Sequence, residues 1–218
     1  MINYYFFVAI SYSIGLAALI GIIRFKKILK AYYPFVYVTC LAFITEIIST
    51  VCTLIFKTSI IVTNNYVLIE ALLYVWLFHN WGALQSRKWH YPAMIISLIL
   101  VWVYDIIFWH RFVSLASFFH VCYSFALIFL AIAQINKMIV RERGNILKAS
   151  AFLISAGIII FYTYDATIEV FFLFQLKVSD NFYRNVYLIM EFINFFANLI
   201  FALAALWIPT RQKFTMSS

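Results

Sequence analysis

The chain has 218 residues, of which 66% are hydrophobic, 21% aromatic and only 11% charged, with a mean hydropathy of +0.98. A soluble domain of this size carries about 25% charged residues, so most of this surface faces something other than water, and a separate soluble domain is excluded. The formal net charge of +8 would suit nucleic acid, but its distribution over the loops makes it a membrane-surface charge.

Apolar runs of bilayer length, about 20 residues each, are expected at 3–23, 33–56, 66–84, 91–109, 113–136, 149–175 and 186–208. The first has no Lys or Arg before it, unlike the basic start of a secretory signal, and reads as a retained helix. The connections are Arg24 to Lys30, Lys57 to Asn65, Gln85 to His90, the His110-Arg111 turn, Lys137 to Lys148, and Leu176 to Asn185. Pro34 and Pro92 stand near helix starts and Pro209 follows the last helix, places that tolerate the missing N–H. Tyr32, Tyr33, Trp89, Tyr91, Trp109, Tyr183 and Trp207 sit at span ends as interfacial anchors. Cys40, Cys52 and Cys122 all fall inside spans, an odd number so placed that a disulfide framework is excluded. His79 and Asn80, at the end of the third span, read as structural.

Orientation follows from the basic residues. The connections after spans 1, 3 and 5 and the tail hold Arg24, Lys26, Lys27, Lys30, Arg87, Lys88, Lys137, Arg141, Arg143, Lys148, Arg211 and Lys213. The opposite side holds Lys57, Arg111, Lys177 and Arg184. Twelve against four puts the first side in the cytoplasm. The expected fold is therefore all-α, a polytopic bundle of seven transmembrane helices with its N-terminus outside and its C-terminus inside, in a bacterial inner membrane. Anionic lipid suits the basic side; nucleic acid is not an expected partner.

An internal duplication is visible. Spans 1 and 5 align at an offset of 111, pairing Tyr12-Ser13 with Tyr123-Ser124, Leu16 with Leu127, Lys26 with Lys137 and Lys30 with Arg141. Tyr66 to Glu70 matches Tyr187 to Glu191 at 121, and Glu46 pairs with Asp165 at 119. Residues 3–84 and 113–208 then form parallel repeats of one transmembrane domain, with 91–109 as the linker helix that lets both point the same way. This three-plus-one-plus-three plan resembles the SWEET sugar transporters, whose halves are related by an axis along the membrane normal, and also the microbial rhodopsins. The Pro-Gln dipeptide of the PQ-loop relatives is absent, and span 7 has no lysine for a retinal Schiff base.

Six of the eight acidic residues lie within the spans: Glu46, Glu70, Asp105, Asp165, Glu169 and Glu191. A carboxylate at the bilayer centre costs about 2.5–3.5 kcal/mol even on the lenient insertion scale. With His120 they are expected in one outer layer. Helical periodicity groups Tyr187, Glu191, Asn194 and Asn198 on span 7; Ser117, His120 and Ser124 on span 5, with Tyr123 beside them; Thr39, Glu46, Ser49, Thr50 and Thr53 on span 2; and Tyr162, Asp165 and Glu169 on span 6. Lipid satisfies none of these groups, so the stripes turn inward around an outward-opening polar cavity. Glu46, Tyr66, Glu70, Asp105, His120, Asp165, Glu169, Tyr187, Glu191 and Asn194 are the expected ligand- or cation-binding residues. Asp165 and Glu169, four apart, repel when both are ionised and suit a proton, a metal ion or a cationic ligand. With His120 and Glu191 they form a candidate divalent-metal set, in which oxygen ligands favour calcium, magnesium or manganese and the imidazole admits zinc.

The first functional expectation is binding of a cation or small polar solute, as a transporter or receptor. A second is an intramembrane enzyme acting on a lipid or isoprenoid. Glu46 with Glu70, and Asp165 with Glu191, resemble in spacing the acids of membrane lycopene cyclase domains, which implies proton-initiated cyclisation. Here the proline of that family's motif is missing, and Ala71 and Phe192 stand where its second acid would be. The seven-helix ceramidase type uses several histidines with Asp and Ser; only His120 lies in the right layer. A third expectation is a sensor or assembly subunit that docks a partner through Lys137 to Lys148.

Overall fold

A computed structural model describes residues 4–85, 87–108, 114–141, 146–174 and 179–210. The Arg111 turn, Arg143, Lys177, and Arg211 with Lys213 in the tail lie outside the described residues. Among the described residues eight α-helices follow one another: α1 (Tyr4–Ser11), α2 (Ile14–Arg24), α3 (Tyr33–Phe56), α4 (Ile60–Asn80), α5 (His90–Phe108), α6 (Ser117–Arg141), α7 (Ser150–Leu173) and α8 (Asp180–Trp207). Helices α3 to α8 are each long and apolar enough to cross a membrane, and Val8–Arg24 is a shorter apolar stretch. Side chains such as Leu54, Phe56, Leu100 and Phe129 are 60–69% exposed. An apolar exterior on every long helix, far beyond the few hundred Å² that soluble monomers show, is a lipid-facing surface. The protein is an integral membrane protein.

The first expected span is not one continuous helix. At Tyr12 and Ser13 the winding tightens: Ser13, Gly15 and Leu16 donate to the carbonyls three residues back, at 2.9–3.1 Å. Ser11 Oγ bonds the Val8 carbonyl at 3.1 Å, a side-chain competitor for the backbone ladder, and Gly15 follows closely against the Phe43 ring. Serine and glycine together are a recognised origin of helix kinks.

The fourth helix starts earlier than its polar residues suggest. Thr63, Asn64 and Asn65 lie inside α4 because each polar side chain finds a partner: Thr63 the Ser59 carbonyl at 3.3 Å, Asn65 the Ile61 carbonyl at 2.7 Å, and Asn64 the Ser114 carbonyl at 3.0 Å. Asn64 Oδ1 also accepts the Ala116 N–H at 3.1 Å, and its carbonyl accepts Trp102 Nε1 at 2.9 Å. One asparagine thus ties α4 to α5 and to the entry of α6. Similarly α8 begins at Asp180, capped by Ser179, whose hydroxyl accepts the Phe182 N–H.

Helices α2, α3, α4, α6, α7 and α8 close a ring, each packed on the next and α8 returning to α2. Helix α5 lies against α4 and α6, and of its residues Leu98, Asp105 and Ile106 are buried. Two basic side chains fasten the end of the bundle opposite the entry of α6. Arg24 donates from Nη1 to the carbonyls of Ala205, at 2.6 Å, and Leu206, and from Nη2 to Ile208 at 3.0 Å. Lys137 Nζ reaches the Trp81 carbonyl at 2.6 Å, passing so close to Gly82 that a Cβ there would sit 2.7 Å from it. Each cation satisfies carbonyls that a helix C-terminus leaves open.

Candidate functional site

Inside the ring lies a cavity of about 170 Å³. Glu46 of α3, Tyr66, Glu70 and Tyr74 of α4, His120 and Tyr123 of α6, Tyr162 and Asp165 of α7, and Asn194 and Asn198 of α8 all line it. Ser11 and Ile14, on either side of the tightened turn, line it too. Every helix of the ring contributes, and among the described residues no Lys or Arg lines the cavity.

Glu70 sits deep. It is the eleventh of the 21 residues of α4, not a few residues from the end as the expected start at Tyr66 implied, and it is buried. One turn back, the Tyr66 hydroxyl donates to Oε1 at 2.5 Å. From α6, the Tyr123 hydroxyl donates to Oε2 at 3.3 Å, and the Tyr162 ring of α7 packs edge-on to Tyr123 with centroids 5.4 Å apart. Tyr74 packs edge-on to Tyr162, with ring centroids 6.1 Å apart. Phenols of α4 and α6 therefore hold this carboxyl in place.

Asp165 accepts the Ser124 hydroxyl at 3.0 Å and lies within electrostatic reach of Glu70, Glu169 and His120. Glu46 lies near Ser11 and within electrostatic reach of Glu191. Two acidic pairs result, Glu70 with Asp165 and Glu46 with Glu191. Each joins a residue of the first half to one of the second. Asn198 links α8 to the tightened turn: its Nδ2 donates to Ser13 Oγ at 2.9 Å and to Asn194 Oδ1 at 3.2 Å.

His120, Asp165 and Glu169 form a separate knot on the α6–α7 side of the cavity. One donor atom from each falls within 4.8 Å of the other two, and His120 Nδ1 is 3.8 Å from Glu169 Oε1. A buried group of two acids and an imidazole is thus present, as the sequence suggested for these three. Glu191, the fourth expected ligand, is not in this group and lies within electrostatic reach of Glu46.

The remaining expected residues are placed elsewhere. Asp105 is fully buried, and its Oδ2 accepts the Phe119 N–H at 2.9 Å. It caps α6 from the neighbouring α5, a stabilising place for an anion. Tyr187 is 46% exposed on α8. Thr50 and Thr39 turn back to carbonyls of their own helix, Glu46 and Val36. Tyr74 was not singled out from the sequence, although Tyr66, Glu70 and Tyr74 at four-residue steps share one helix face.

Chemically, the arrangement presents carboxyls, phenols, amides and one imidazole to a space fit for a few waters, in a region where lipid offers nothing to a charge. Comparison with known proteins finds no match: no family model, no curated protein and no solved structure is significantly similar to this chain.

Proposed function

We propose that the protein is a seven-span transporter that binds a cation or small polar solute in this central cavity. The observation that carries the reading is the lining itself: Glu46, Glu70 and Asp165 converge, and among the described residues no Lys or Arg lines the cavity to balance them. A cation completes that balance, and a buried carboxylate left uncompensated is strongly destabilising. Transport rather than reception is favoured by the tightened turn at Tyr12 and Ser13, which borders the cavity through Ser11 and Ile14. Interrupted helices at a central site are a recurrent transporter device, and short-pitched winding within a helix often marks a hinge.

Helices α1 and α2 together, from Tyr4 to Arg24, are the first of the seven spans in this reading. The two halves are parallel repeats and α5 is the linker. Support comes from the packing order: α2 on α3, α3 on α4 and α4 on α6 is repeated as α6 on α7, α7 on α8 and α8 on α2. The acidic pairs obey the same exchange, since Glu46 corresponds to Asp165 and Glu70 to Glu191. Among the described residues, Arg24, Lys26, Lys27, Lys30, Arg87, Lys88, Lys137, Arg141 and Lys148 belong to the side of the Arg24 and Lys137 clamps, against Lys57 and Arg184 on the other; this excess supports a reading with that side in the cytoplasm of an inner membrane and the N-terminus outside. The volume argues against an isoprenoid substrate. Pockets that hold ligands of drug size measure about 300–1,000 Å³, and a polyene end group needs space of that order.

The test is charge displacement by proteoliposomes on a solid-supported membrane, challenged in turn with Na⁺, Mg²⁺, Ca²⁺, Zn²⁺ and ammonium. The reading requires a current for at least one cation that falls at least tenfold in Glu70→Gln. Silence toward all five, or an unchanged current in that variant, overturns it.

A further inference from the structure

We infer that His120, Asp165 and Glu169 form a binding site for a divalent transition-metal ion of the zinc class, in the wall of the cavity. The inference rests on the cation reading above and narrows the cation to that class.

The imidazole is the independent observation. The His120 side chain is 93% buried (7% exposed), and neither ring nitrogen has a hydrogen-bond partner. A buried imidazole without a partner pays the full cost of desolvating its polar atoms. This one faces two carboxylates at distances too long for hydrogen bonds and suitable for an ion between them. With bonds of about 2.0–2.2 Å to nitrogen and oxygen, donors around a tetrahedral zinc are about 3.4 Å apart. The 3.8 Å between Nδ1 and Glu169 Oε1 closes onto an ion by about 0.4 Å, and the other donor pairs, within 4.8 Å, by up to about 1.4 Å.

Charge and ligand chemistry agree. Asp165 and Glu169 bring two negative charges and His120 none, so a divalent ion makes the complex neutral, the condition under which burial in a membrane interior costs least. One nitrogen with two carboxylate oxygens suits zinc, manganese or iron(II) better than magnesium or calcium, which take oxygen and water. The Ser124 hydroxyl already engages Asp165 Oδ2 at 3.0 Å, leaving Oδ1 for the ion and fixing the carboxylate's orientation as partners behind a metal ligand do. His120 and Asp165 both line the cavity while Glu169 does not. Three protein ligands leave one position open toward the cavity for water or a solute.

Co²⁺ is the probe, because its visible absorption reports a tetrahedral site. It is titrated into the full chain in detergent, in a background carrying Cys40→Ala, Cys52→Ala and Cys122→Ala and without an affinity tag. One equivalent should bind with an intense visible band, and Zn²⁺ should displace it. Glu169→Gln and His120→Gln should each weaken Co²⁺ binding at least tenfold while eluting as the parent does on size exclusion. Zn²⁺ should raise the melting temperature of the parent and not of Glu169→Gln. Absence of the band, or binding unaffected by both substitutions, overturns the site. The cavity reading fails separately: Co²⁺ binding lost in Glu169→Gln alongside unchanged currents in Glu70→Gln retains the metal site and removes the transporter. Cation currents lost in Glu70→Gln without any Co²⁺ binding do the reverse.

Discussion

The Tyr66 hydroxyl donates to Glu70 Oε1 at 2.5 Å, one turn apart on α4 in the middle of the bundle. A phenol one turn away supplies by geometry what lipid cannot. Removing it in Tyr66→Phe should cost about 1 kcal/mol, the scale of side-chain hydrogen bonds within membrane bundles. Unfolding in SDS measures the cost, and an unchanged midpoint would show that Tyr123 suffices for Glu70.

Asp105 separates a structural acid from those of the cavity. Its carboxylate caps α6 through the Phe119 amide, so Asp105→Asn should lose about 1 kcal/mol of stability and leave cation-driven charge displacement within twofold of the parent. A tenfold loss of current without a change in stability would move Asp105 into the binding site.

Gly157 lies against Phe201, a residue of the cavity wall. A Cβ there would lie 2.6 Å from the Phe201 ring, which packs edge-on against Phe35 and lines the cavity. Overpacking costs about 1–3 kcal/mol, against about 1 kcal/mol gained in helix propensity. Gly157→Ala should therefore be destabilised by about 1 kcal/mol and should weaken the cation response by pushing Phe201 inward. Equal stability together with an unchanged response would show that the ring moves aside without narrowing the space.

The clamp at Arg24 is expected to hold its end of the bundle together. Arg24→Ala frees the carbonyls of Ala205, Leu206 and Ile208 and should cost about 1–2 kcal/mol, with Arg24→Lys recovering part. Thermal unfolding in detergent checks this. A cost below about 0.3 kcal/mol would mean that water replaces the guanidinium without loss.

Orientation is tested at Lys57, the residue that ends α3 in a left-handed conformation with φ 61°. A cysteine at that position, in a background without Cys40, Cys52 and Cys122, should react with an impermeant maleimide added outside intact cells. A C-terminal fluorescent fusion should fold in the cytoplasm. Labelling only after the cells are lysed would invert the topology.

How much of this was legible beforehand depended on whether a signal was local. The limits of α3 match the expected span at both ends, because Pro34 starts it and Lys57 stops it. The start of α4 was placed six residues late, at Tyr66 rather than Ile60, because Thr63, Asn64 and Asn65 read as a loop. The partners of Asn64, Ser114 and Ala116, come from about 50 residues away in sequence, and no local pattern announces them. That shift carried Glu70 to mid-helix and brought it among the tyrosines. The interruption at Tyr12 and Ser13 is equally a tertiary matter, fastened by Asn198 at the far end of the chain. The grouping of His120 with Asp165 and Glu169 was readable because two of the three residues sit one turn apart. The capping role of Asp105 was not, since its partner amide belongs to another helix.

The most direct measurement is a density map of the protein in lipid nanodiscs, at a resolution that shows ordered water and ions in the cavity. The account predicts non-protein density within bonding distance of Glu70, Asp165 or Glu46, coordinated by their carboxyl oxygens. An acyl chain filling that space, or walls collapsed so that every carboxyl meets only its neighbouring hydroxyl, would contradict it.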